Sequence, residues 1–195
     1  MQGNTFDQSE LTPELLVQAD LVCIQRAKKS VIPDFLSVIN YPYTWSTSTD
    51  YGDLGLLTIG PTLVDTVTVD IVQNEYDSNQ GKIYHRFKFN NFDIIHQLGC
   101  YIPVTSKNQY FNLILSQGAD LIIGDSHIPR HSDTVDGIYQ NYKVLNTKFT
   151  FMSDTDLYCI DWIMTKNLQL QVIDEYVPVI NSNIKMRHYP VLLEI

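Results

Sequence analysis

Five places in this chain of 195 residues put proton-handling or charged side chains at the ends of, or inside, apolar segments. They are Gln25-Arg26, His96, Asp125 followed by His127, Asp161, and Arg187-His188. Burying such groups without partners costs several kcal/mol, so a sequence that repeats the placement is building a polar network or a site. Histidines suit general acid–base work near neutral pH. Aspartates orient a histidine or a water, and arginines grip phosphate oxygens in pairs. Taken singly, each has a purely structural reading. His96 suits a satisfied core histidine, Asp125 a loop cap, and Asp161 a salt-bridge partner of Arg187. The coincidence of five such positions points to a site.

The elements that would position them follow from the pattern of apolar residues. Thr12-Pro13-Glu14 reads as a helix start, with Thr12 as cap and proline in the first turn. Residues 20–25 form a continuous apolar run of strand length, expected of a strand covered on both faces. A polar stretch, 26–30, and a short segment, 32–39, come next. Residues 41–45 and 54–59 are strand candidates. Residues 64–72 alternate, with the valine and isoleucine face expected inward. Residues 74–80 read as a loop, and 82–89 with 92–96 as a hairpin turning at Asn90-Asn91. Residues 107–116 are expected to be helical, 119–125 a second buried strand, and 126–140 a polar connection. Strands are then expected at 158–164, 168–173 and 187–195. Many strands with two or three helices imply an α+β or α/β sandwich in a single domain, 1–195.

Composition narrows the function. Hydrophobic residues make up 44% and charged residues 18%, as in a globular fold, and the formal net charge is −9. So acidic a surface repels a polyphosphate backbone, which argues against general nucleic-acid binding. Arg26, Lys28 and Lys29 form the one small basic cluster, and it reads as a solvated loop. Tyr41, Tyr43 and Trp45 suit core or sheet-edge packing better than a base-stacking platform. Cys23, Cys100 and Cys159 fit no metal spacing and suggest buried thiols rather than disulfides. No apolar run is long enough for a membrane span, and no signal-peptide pattern opens the chain. The expectation is a soluble protein, with compartment and oligomeric state open.

The order of these segments resembles the endonuclease/exonuclease/phosphatase superfamily, whose members include DNase I. Asp20-Leu21-Val22-Cys23-Ile24-Gln25-Arg26 resembles the family strand ending in Gln-Glu. Phe92-Asp93-Ile94-Ile95-His96 resembles the strand carrying its first catalytic histidine. Leu121-Ile122-Ile123-Gly124-Asp125-Ser126-His127 resembles its Gly-Asp-Phe-Asn segment. Tyr158-Cys159-Ile160-Asp161-Trp162-Ile163 resembles Ile-Asp-Tyr-Ile, and Met186-Arg187-His188-Tyr189-Pro190-Val191 resembles Ser-Asp-His-Tyr-Pro-Val. Met1-Gln2-Gly3-Asn4 and Tyr43-Thr44-Trp45 resemble short stretches of the cytolethal distending toxin nuclease subunit. The resemblance implies a DNase I-like two-layer sandwich of mixed sheets flanked by helices, with the site at one end. The first strand is expected to be absent or cut short.

The departures from the family pattern bear on mechanism. The resemblance implies a Mg²⁺ ligand where Arg26 stands, and an aspartate where Arg187 stands. A guanidinium stays protonated and cannot ligate a cation. His127 replaces an asparagine. The expected site therefore has no metal and no cofactor. His96, Asp125, Asp161 and His188 remain as vestigial or residual catalytic residues, and Arg26, Arg187 and His127 as an anion-binding set. The expected function is a binding or assembly module, or an anion-binding pseudoenzyme, whose partner is another protein or a phosphate-bearing ligand. The alternative is a divergent phosphodiesterase, phosphatase or toxin-like nuclease working through His96 and His188 without a metal. A third reading is an unrelated α+β binding domain.

Overall fold

The computed structural model describes residues 2–4, 17, 19–47, 54–60, 64–71, 80–98, 104–126, 141–145, 151–152, 157–166, 171–175, 187–188 and 191–194. The helix start at Thr12, Cys100, His127, the loop 74–79 and most of the connection 126–140 lie outside them.

In chain order the strands are β1 (Gln2–Asn4), β2 (Val22–Lys28), β3 (Tyr43–Ser46), β4 (Leu54–Ile59), β5 (Val64–Ile71), β6 (Gln80–Phe89), β7 (Phe92–Leu98), β8 (Leu121–Asp125), β9 (Lys143–Val144), β10 (Phe151–Met152), β11 (Leu157–Tyr158), β12 (Asp161–Thr165), β13 (Gln171–Glu175), β14 (Arg187–His188) and β15 (Val191–Glu194). The helices are α1 (Ile32–Val38), entered through a short 3-10 turn, and α2 (Val104–Ser116). One six-stranded sheet runs β13-β15-β1-β2-β4-β3 and the other runs β5-β6-β7-β8-β12-β9, while β11-β10-β14 form a small third sheet. Both large sheets are mixed: β1 lies parallel to β2, and β7 parallel to β8, among antiparallel neighbours.

Side-chain parity sorts the molecule into four layers. Cys23 of the first sheet and Leu21 just before β2 share a core with Phe87, Ile94, Leu121, Ile123 and Ile163 of the second, so these residues fill the space between the sheets. The alternate residues point outward. Val22, Ile24, Leu57 and Ile59 pack with Ile32 and Phe35 of α1. Tyr84, Ile95, Ile122, Trp162 and Met164 pack with Tyr110, Phe111 and Ile114 of α2. Each helix thus seals the outer face of one sheet, and burial of these apolar stripes holds the layers together.

Several sequence expectations change. The opening strand, expected to be absent or truncated, is present as β1, with Asn4 in register with Gln25. The polar stretch after Gln25 continues the strand, since β2 runs to Lys28. The expected strand at 158–164 divides into β11 and β12, in different sheets. The terminal strand likewise divides: β14 pairs with β10 in the small sheet, and β15 joins the first large sheet. The hairpin turns at Asn90 and Asn91 as expected. Both take positive φ, 47° and 69°, the conformation that a two-residue turn matching strand twist requires.

Candidate functional site

The inner faces of the two sheets are apolar along most of their length and become polar at one end. Gln25 and Thr58 of the first sheet meet His85 and His96 of the second, and all four are fully buried. The Gln25 side-chain nitrogen lies 2.8 Å from His96 Nε2. Thr58 Oγ1 lies 2.9 Å from His96 Nδ1 and 2.8 Å from His85 Nδ1.

Proton inventory fixes the direction of this chain of bonds. The amide nitrogen only donates, so His96 Nε2 accepts. Neutral His96 then carries its hydrogen on Nδ1 and donates it to Thr58, whose hydroxyl hydrogen passes to His85 Nδ1. His85 is left with its N–H on Nε2, which finds no acceptor among the described residues. Burial pushes the His85 pKa down to about 4. Burial, then the neighbouring His85, hold that of His96 well below its ordinary value. Both rings are therefore neutral members of an inter-sheet seam. That placement makes His96 a buried ring with a partner on each nitrogen. Sequence reasoning missed Thr58 and His85. The available signal was a polar residue on an otherwise apolar inner face, Leu56-x-Thr58 and Ile83-x-His85-x-Phe87.

Beside the seam stand Asp125 and Asp161, paired directly across β8 and β12. Directly opposite residues in an antiparallel pair lie on the same face with Cβ atoms about 5 Å apart. The backbone here is tightly specified. Gly124 has φ 146°, and a Cβ on it would collide with the Gln97 carbonyl oxygen, so only glycine fits before Asp125. The Gln97 side-chain amide donates to the Asp125 carbonyl at 3.1 Å. Ser126 closes the strand end, its N–H and hydroxyl each donating at 2.7 Å to the carbonyl of Ile160, the residue before Asp161.

Arg26 reaches this pair because of a defect in β2. The β2–β4 register shifts between Ile24 and Ala27, and Arg26 adopts φ 53°. In an unbroken strand Arg26 would follow Val22 and Ile24 outward, into the apolar cluster under α1. The bulge instead gives that outward place to Ala27, which packs in the cluster. Gln25 and Arg26, though consecutive, both face the second sheet. The Arg26 guanidinium lies 3.7 Å from the Asp125 carboxylate, with its side chain 12% exposed and that of Asp125 fully buried.

The remaining expected site residues are placed by backbone alone. Arg187 and His188 pair with Met152 and Phe151, and their strand lies against β1, the neighbour of β2. The structure thus brings Arg26, Asp125 and Asp161 together, and sets the Arg187-His188 strand two strands from Arg26. The expected basic cluster does not form one surface. Arg26 turns inward, while Lys29 sits over the Trp45 ring at 5.6 Å. Tyr41 and Tyr43 are exposed at the edge of the first sheet. Cys23 and Cys159 are free and buried, and burial pushes the Cys23 thiol up to about 12. Among the described residues no helix is long and apolar enough to cross a membrane.

No protein-family model and no curated protein matches the sequence. Solved structures do. The mannosyl-6-phosphatase Bt3783 of Bacteroides thetaiotaomicron superposes with a TM-score of 0.62 at 15% identity, over 93% of this chain and 89% of that one. An endonuclease/exonuclease/phosphatase from Bacteroides vulgatus gives 0.60 at 16% identity, over 91% and 86%. Truncated TDP2 of Caenorhabditis elegans gives 0.52 at 14%, over 85% and 82%. The chain has the endonuclease/exonuclease/phosphatase fold, in its DNase I-like form, and is a divergent example of it.

The Mg²⁺ that the family resemblance implies can be tested against the donors present. Magnesium takes oxygen ligands in a near-octahedral shell at about 2.1 Å. Among the described residues no three His, Cys, Asp or Glu side chains gather into a metal-holding group. A permanently charged guanidinium stands beside Asp125 instead. A guanidinium in that place is not a magnesium ligand.

Proposed function

We propose that this protein is a phosphodiesterase-fold binding module that does not carry out divalent-metal hydrolysis, and that its pocket lies at the Arg26–Asp125–Asp161 end of the inter-sheet face. The contact between Arg26 and Asp125 carries the reading. A metal supplies several kcal/mol of transition-state stabilisation and lowers the pKa of a bound water, and a guanidinium does not do the latter.

The ligand is a phosphate-bearing molecule. Arg26 holds it together with Arg187, whose strand lies against β1. A guanidinium has five donors, so contact with Asp125 is compatible with gripping a phosphate oxygen. Two structural neighbours support that class: one is a mannosyl-6-phosphatase and another an endonuclease/exonuclease/phosphatase. The test is hydrolysis of p-nitrophenyl phosphate and bis-p-nitrophenyl phosphate with magnesium or manganese, alongside calorimetric titration with mannose 6-phosphate. Binding without turnover, weakened by Arg187→Ala, is the expected result. Turnover at the rate of a competent family member, abolished by Asp125→Asn, overturns the reading.

The register that still pairs Asp125 with Asp161 favours a second reading, a divergent phosphoesterase in which His188 moves the proton. Activity that survives His188→Ala unchanged excludes it.

A further inference from the structure

Strand β3 ends the first large sheet, and we infer that its open edge is a self-association surface: two copies of the chain pair there, antiparallel, about a two-fold axis through Thr44. The phase of the hydrogen bonds defines what the edge offers. Gly60 N–H donates to the Pro42 carbonyl at 3.0 Å, and the same register sets Thr44 opposite Thr58. Bonded and non-bonded pairs alternate along an antiparallel ladder, so Thr44 and Ser46 bond toward β4. Tyr43 and Trp45 therefore turn their N–H and C=O groups away from β4, and no described strand lies on that side. Pro42 gives the edge no protection, because its nitrogen faces β4.

Absence of charge distinguishes β3 from the other edges. Among the described residues the two large sheets end in β3, β5, β9 and β13. β5 carries Asp65 and Asp70, β9 carries Lys143, and β13 carries Asp174 and Glu175, whereas Tyr43–Ser46 carries no charge. Charged edge residues discourage pairing with a further strand, and in a chain of net charge −9 the acidic edges repel a second copy. Exposed apolar side chains gather at the same place: Tyr43 is 49% exposed and Tyr41 39%. Trp45 packs against the cluster under α1, so Tyr43, two residues earlier, shares that outer face. A two-fold axis at Thr44 places Tyr43 opposite Trp45 of the second copy, and the reverse. The pairing gives both edge-facing residues their main-chain partners, four hydrogen bonds in all, and makes two aromatic cross-strand pairs. Lys29, whose ammonium lies 5.6 Å from the Trp45 ring centroid, flanks each pair on the side of attraction between cation and ring. Self-pairing is favoured over a foreign strand because one short sequence supplies both halves of each aromatic pair.

A pair of short strands buries less than a standard interface, so the dimer is weak, with a dissociation constant on the order of 10–100 μM. Sedimentation velocity from low micromolar to millimolar concentration is expected to show reversible dimers of the wild-type protein and of Tyr43→Phe. Tyr43→Glu removes both aromatic pairs and adds charge beside the axis. It is expected to weaken the dimer by more than about tenfold, with an unchanged far-UV circular dichroism spectrum. Register is read by cysteine cross-linking in glutathione-disulfide buffer. Thr44→Cys brings two thiols face to face at a non-bonded pair, where Cα atoms stand about 4.5 Å apart, within disulfide range. Thr47→Cys falls opposite Tyr41 of the second copy and, like the wild-type protein, is expected to stay monomeric on non-reducing gels. A wild-type protein that remains monomeric at millimolar concentration overturns the inference. So does a dimer that Tyr43→Glu fails to weaken, or one that Thr44→Cys fails to cross-link. Should Tyr43→Glu not fold, the cysteine variants decide: cross-linking at 44 and not at 47 supports the inference, and equal cross-linking overturns it.

Discussion

Thr58 serves two buried histidines at once, accepting from one and donating to the other. Thr58→Val keeps the shape and removes both bonds, leaving two ring nitrogens buried without a partner. The expected loss is about 2–4 kcal/mol in urea unfolding, at unchanged m-value. The same seam makes stability acid-sensitive. His85 has its folded pKa lowered to about 4 from an ordinary 6.5, so the folded state holds fewer protons than the unfolded chain between those values. The stabilisation, about 3 kcal/mol from His85, is complete above the ordinary value and drains away as pH falls toward the folded one. His96, shifted in the same direction, adds to it. Melting temperature should therefore fall steeply through mildly acidic pH, and an unchanged melting temperature across that window would refute the buried-neutral assignment.

Two turns of backbone carry predictions at the level of elements. The β6–β7 hairpin holds Asn91 at φ 69°, where glycine is better suited than any residue with a Cβ. Asn91→Gly should raise stability by roughly 0.5–1 kcal/mol, read as a small upward shift of the melting temperature. Gly124→Ala should do the reverse and do it severely, because the added methyl meets the Gln97 carbonyl of the adjoining strand. A loss beyond about 3 kcal/mol, or failure to fold, is expected. These elements also show what was readable from the chain. Strand β4 and the Asn90-Asn91 hairpin follow from local apolar runs and turn chemistry, and the Gly124-Asp125 corner could be picked out because glycine and aspartate end a buried strand. The reversal of Arg26 could not be read. It depends on a bulge with no glycine or proline to mark it, and period-two extrapolation sends the side chain to the wrong face. The division of 187–195 between two sheets was hidden for a similar reason. A continuous strand-like composition does not state which neighbour each half will find.

At the scale of the whole molecule, the net charge of −9 predicts repulsion of a polyanion over most of the surface. Gel-shift titration with plasmid DNA should show no retardation even at low ionic strength, where counter-ion release favours binding most. A salt-sensitive shift would reveal a basic surface and reopen a nuclease-like role. The layered build also assigns distinct jobs to its cores. The clusters beneath α1 and α2 are apolar, while the space between the sheets carries, beside its own apolar cluster, the polar rung of Gln25, Thr58, His85 and His96. Greasy surfaces can slip over one another with small loss, but directional bonds cannot. The rung acts as an indexing pin: displacing one sheet by a residue pair would strand four polar groups together. Its replacement by well-packed leucines should leave overall stability near its present level yet broaden the methyl NMR spectrum, as the two halves of the sandwich lose their single alignment.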